Sequence, residues 1–76
     1  MKETLETIIK SLTEFPEQVS INEIDGEKSV VFEVKVAETD MGKVIGREGK
    51  IAAAIRTLMK ALASKEQKRV SVEFIG

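Results

Sequence analysis

The residues with the clearest chemical potential lie in one run, Met41-Gly42-Lys43-Val44-Ile45-Gly46-Arg47-Glu48-Gly49-Lys50-Ile51. Gly46 and Gly49 bracket Arg47 and Glu48, and Lys50 follows at once. The glycine spacing is wrong for a dinucleotide fingerprint, and the run follows a short helical segment rather than a strand. It is not a P-loop either, because Ile51 stands where a Ser or Thr would have to meet magnesium. What remains is a helix–GxxG–helix unit. Glycine carries no Cβ, so the main chain can come close to a ligand. The first turn of the following helix offers unpaired N–H groups and the positive end of its dipole. Arg47 at the loop tip, Lys50 in that first turn and Lys43 on the preceding helix could neutralise a phosphate–sugar segment lying over the glycines. Val44 and Ile45 would then form part of an apolar floor for bases. Arg56 and Lys60, four apart, would extend the positive charge along the solvent side of the second helix. A tight interhelical turn with solvated basic residues produces the same pattern with no ligand at all. Glu48 either points to water and partly neutralises Arg47, or tempers non-specific electrostatic attraction.

The elements that must position this run can be read from hydrophobic periodicity. Leu5, Ile8, Ile9 and Leu12 form one stripe of an amphipathic helix, which Phe15-Pro16 ends because proline disfavours helical geometry in the residue before it. Val19-Ser20-Ile21 starts an alternating strand whose pattern breaks at Glu23-Ile24, where a bulge or a strand end is expected. Asp25-Gly26 supplies turn chemistry. Val30, Phe32, Val34 and Val36 then share one face of a second strand. Thr39 or Asp40 is placed to cap the short helix before Gly46. After Gly49, Ile51, Ile55, Leu58 and Leu62 form the expected buried stripe of a long helix, with Met59 at its edge, either as core filler or, with Ala52 and Ala63, as a contact for a partner. Residues 64–67 read as a polar connection, and Val70, Val72 and Phe74 alternate in a last strand. The order predicts a two-layer α+β domain with a crossover connection between the second and third strands. No linker or boundary divides residues 1–76.

Composition narrows the function classes. At 76 residues the chain supports one thin core. There are no histidines and no cysteines, which removes the usual triads, zinc sites, disulfides and pH switches. The carboxylates show no calcium-loop spacing, so no metal, cofactor or catalysis is expected. No apolar stretch approaches a membrane span, and the compartment expected is the cytoplasm. The net charge of −1 hides a division. Residues 1–40 carry four lysines against ten carboxylates, a net of −6, and residues 41–76 carry eight Lys or Arg against three Glu, a net of +5. The basic half suits a polyanion. Phe32 and Phe74 are in phase with strand core positions, so base stacking on an aromatic platform is not expected.

The Val44-Ile45-Gly46-Arg47-Glu48-Gly49-Lys50 string between two helices, with Asp40-Met41-Gly42 before it, resembles a KH domain. The helix and strand that precede the core match the type II topology, helix-strand-strand-helix-GxxG-helix-strand, with a three-stranded sheet covered on one face by three helices. The whole chain is similar to the small bacterial KhpA (YlqC-like) family. The resemblance implies single-stranded RNA binding, with about four nucleotides clamped by Gly46, Arg47, Glu48 and Gly49. Val44, Ile45 and Lys50 would flank the clamp, and Ala53 would line the groove beyond it. It also implies a role in RNA chaperoning or post-transcriptional control linked to cell elongation and division. The implied partners are a second copy, or a larger KH-containing protein of the Jag/KhpB type. The competing reading is a dimerisation module with a KH fold and little RNA binding of its own. No residue here distinguishes RNA from single-stranded DNA.

Overall fold

A computed structural model describes residues 1–76. Three helices, α1 (Lys2–Leu12), α2 (Met41–Ile45) and α3 (Lys50–Lys65), lie against one face of a sheet of β1 (Ser20–Asp25), β2 (Ser29–Lys35) and β3 (Arg69–Phe74). The expected α+β order is therefore present, with α1 stopping at Leu12, before Phe15-Pro16. The sheet order is β1-β2-β3, with β1 antiparallel and β3 parallel to the central β2. The parallel pair is joined by the expected crossover, which carries both α2 and α3 over the sheet.

The β2 alternation decides which face is covered. Val30, Phe32 and Val34 are buried on the helix side, where they oppose Val70, Val72 and Phe74 in register. Ile21 of β1 joins them opposite Val34. Leu5 and Ile9 of α1, Val44 of α2, and Ile55 and Met59 of α3 close the same cluster from above. Phe32 is fully buried at its centre, and truncating such a residue to Ala costs about 3–5 kcal/mol.

Two expectations are corrected here. The ladder between β1 and β2 runs unbroken through Glu23↔Phe32 and Ile24↔Val31 to Asp25↔Val30, without a bulge. The reversal at Glu23-Ile24 marks where β1 outruns its cover: Glu23 is exposed although it is on the helix side, and Ile24 is half exposed on the open side. The α3 stripe is also displaced. Its buried residues are Ala52, Ile55, Met59 and Ala63, whereas Leu58 is exposed and Ile51 and Leu62 are only partly covered. Alanine side chains at the contact let the α3 backbone approach the sheet closely, and the flexible Met59 fills the space between them. Met59, Ala52 and Ala63 are thus core, and not a surface for a partner.

Candidate nucleic-acid interface

The loop geometry follows from its two glycines. α2 ends as the Gly46 N–H donates to the Gly42 carbonyl at 2.8 Å. Gly46 then takes φ +78°, ψ 173°, a region essentially reserved for glycine. Its missing Cβ is also a packing requirement, since a Cβ built there would lie 2.6 Å from Cγ1 of Ile51. Arg47, Glu48 and Gly49 form one tight turn, closed by the Gly49 N–H on the Gly46 carbonyl at 3.2 Å. Both Glu48 (φ 57°) and Gly49 (φ 74°) are left-handed. The turn pushes Arg47 and Glu48 out to solvent, and α3 starts directly from it. Gly49 is the N-cap residue of α3 and brings no side-chain acceptor; the Lys50 N–H turns back to the Arg47 carbonyl, and the N–H groups after it have no side-chain cap.

The structure separates the cations named from sequence. Arg47 and Lys50 are exposed and form no ion pair. Lys43 is committed elsewhere: its Nζ lies 3.2 Å from Oε2 of Glu14 and 3.5 Å from Oδ1 of Asp40. The hydrogen bond to Glu14 raises the Lys43 ammonium above its ordinary value against the opposing effect of burial, and the charges of Glu14 and Asp40 add to the rise.

Asp40 does not cap α2 with its side chain. The fully buried carboxylate instead accepts the backbone N–H groups of Glu14 at 3.0 Å and Phe15 at 2.9 Å. Those donors are left over where α1 ends, and Asp40 ties them to the start of α2. Burial alone would raise the Asp40 carboxyl, but the two N–H donors and Lys43 outweigh it and hold it below the ordinary carboxylate value. The pairing spans 26 positions, and no local pattern points to it.

The apolar floor is also revised. Val44 is fully buried in the core and presents no surface to a ligand, while Ile45 is half-buried at the end of α2. Ala53 is exposed one turn into α3. Beyond it, Arg56 is exposed, as expected, but its side chain leans on β3. Its Nε–H donates to the Val72 carbonyl at 3.2 Å, and its guanidinium carbon lies 5.4 Å from the centroid of the Phe74 ring. Arg56 and Lys60 line one wall of an open groove of about 340 Å³, with Val70, Ser71, Val72 and Glu73 of β3 on the other. Loop, helix start and groove therefore follow one another along α3: backbone donors and free cations first, then a part-apolar slot. No group of three His, Cys, Asp or Glu comes together anywhere in the fold.

A helix–GxxG–helix unit packed on this three-stranded mixed sheet defines a KH-type domain. Residues 2–74 match the family described as KhpA/KhpB, KH domain. The chain is 59% identical to the RNA-binding protein KhpA of Clostridium acetobutylicum, over 99% of this chain and all of the relative. It is 57% identical to the protein of that name from Clostridium perfringens over the same shares, and 48% identical to that of Borreliella burgdorferi over 96% of this chain and 89% of the relative. No solved structure matches the chain. The chain belongs to the KhpA/KhpB KH-domain family.

Proposed function

We propose that this protein binds single-stranded RNA, without catalysis, through the loop at residues 46–50 and the groove between α3 and β3. The observation that carries the reading is the loop itself. Three left-handed or glycine-only backbone positions present Arg47 and Lys50, both unpaired, beside the start of a 16-residue helix that no side chain caps. This is a phosphate site built from backbone donors and mobile cations. The related proteins named as RNA-binding support the choice of ligand. Residues 1–76 act as one KH unit in the cytoplasm, where the protein serves as an RNA chaperone or post-transcriptional regulator tied to cell elongation and division. No helix is long and apolar enough to cross a membrane. A second copy, or a KhpB-type protein with its own KH domain, is the partner we infer, and the exposed Leu58 between Ala54 and Ala61 on α3 offers such a partner an apolar contact.

The test is a salt titration of binding to a labelled single-stranded RNA, followed by anisotropy. Arg47→Asp/Glu48→Asp should abolish binding and leave the fold intact, because Asp tolerates the left-handed conformation at position 48. Lys50→Ala should lower the dependence of log K on log salt by about 0.7, the value for one phosphate contact on a single strand. Lys43→Ala should leave that slope unchanged. A double variant that binds with unaltered affinity and slope removes the loop from the interface.

A further inference from the structure

Arg56 is the one groove residue whose orientation is set from two sides, and nothing in the loop reading uses it. Its Nε–H is taken by the Val72 carbonyl at 3.2 Å, and Phe74 backs its guanidinium at 5.4 Å, within cation–π range. No carboxylate pairs with it. The Nη groups of this exposed side chain therefore keep their N–H donors, in a plane oriented by the Val72 carbonyl and the Phe74 ring. Arg56 stands seven residues beyond Gly49, which is about 10 Å along α3 and past the phosphate site. Its surroundings do not suit a phosphate. Val70 and Val72 make part of the groove apolar, and Glu73 sets a negative charge at its rim.

We propose that Arg56 is a specificity-determining residue, whose fixed fork reads a base presenting two adjacent acceptor atoms on one edge. Guanine does so with O6 and N7, and cytosine with O2 and N3. Adenine sets its N6 amino donor beside both N1 and N7 and has no second acceptor next to N3, and uracil places N3–H between its two oxygens. A planar fork thus selects guanine or cytosine over adenine or uracil at this position. The inference rests on the RNA-binding reading above and adds base preference to it.

The experiment compares hexa-adenylate, hexa-uridylate, hexa-cytidylate and a hexamer alternating uridine and guanosine, with wild type and Arg56→Lys. Wild type should bind the cytidine or guanosine oligomer at least about tenfold more tightly than the adenine and uracil oligomers. Arg56→Lys keeps the charge and lacks the fork, so it should lose affinity for the preferred oligomer by far more than for hexa-adenylate, and with it the preference. Which of the two oligomers is preferred identifies the base. Because the Lys variant also gives up contacts to Val72 and Phe74, NMR of the wild-type Arg56 side-chain N–H groups supplies a second readout. Those signals should shift with the preferred oligomer and not with hexa-adenylate. If wild type binds all four alike, or if Arg56→Lys weakens all four equally and reduces the salt slope, Arg56 meets a phosphate or nothing and the assignment falls. If wild type binds none of them, the RNA-binding reading itself falls, and this inference falls with it.

Discussion

The two loop glycines are required for different reasons, and replacing each with Ala separates them. At Gly46, Ala must hold φ +78°, ψ 173°, which costs about 1–3 kcal/mol. Its Cβ must also displace Ile51, whose Cγ1 would lie 2.6 Å away and whose Cβ and Cδ1 2.9 Å away. Forcing a methyl into a packed position typically adds about 1–3 kcal/mol. The sum is about 2–6 kcal/mol, against a total stability of roughly 4–11 kcal/mol for a domain of this length. Gly49 has φ +74° and ψ 14° but no atom within 4 Å of a new Cβ. Gly49→Ala therefore carries only the left-handed backbone cost, about 1–2 kcal/mol. Urea unfolding should show Gly46→Ala markedly less stable than Gly49→Ala. On an Ile51→Ala background the cost of Gly46→Ala should fall by about 1 kcal/mol, because Cγ1 and Cδ1 are gone. Equal costs for the two glycines, or no coupling to Ile51, would refute the argument that Gly46 is held by packing as well as by backbone. The practical consequence is that loss of RNA binding in Gly46→Ala would report on the fold, whereas the Arg47/Glu48 variant reports on the interface.

Two further perturbations test the polar framework. The Asp40 carboxyl sits below its ordinary value, so its contribution to stability is fully present above about pH 4 and is lost as pH falls through its folded value. Asn at position 40 cannot accept both the Glu14 and Phe15 N–H groups, so Asp40→Asn should lower the urea midpoint at pH 7. The gap from wild type should narrow toward pH 3, and a gap that stays constant would show that the ionised carboxylate is not what holds the α1 end. The C-terminus of α3 closes with the Lys68 N–H on the Ala63 carbonyl at 2.9 Å and the Gln67 N–H on the Ser64 carbonyl at 3.0 Å, with Gln67 left-handed at φ 58°. Glycine suits that position, so Gln67→Gly should raise stability by about 0.5–1 kcal/mol in thermal or urea unfolding.

Local patterns were readable from sequence wherever neighbours along the chain decide the outcome. The α1 stripe and the β2 alternation follow from side-chain direction within a single element. The Gly46-Arg47-Glu48-Gly49 turn follows from the glycines that take the positive φ at its two ends. The phase of α3 did not, because Ile51, Leu58 and Leu62 are as apolar as the residues that are buried. Which stripe faces the sheet depends on how near the helix can come, and Ala52 and Ala63 set that distance. Asp40 looked like a helix cap, since Asp before a helix has that role locally, yet the backbone donors it serves belong to Glu14 and Phe15, far away in sequence. The same holds for Lys43, drawn off by Glu14, and for Arg56, drawn onto β3 by a carbonyl and a ring. Residue type and spacing were enough to place a tight glycine turn at the head of a helix. Which cations remain unpaired, and which one leans on β3, depends on partners that only folding brings within 3–6 Å.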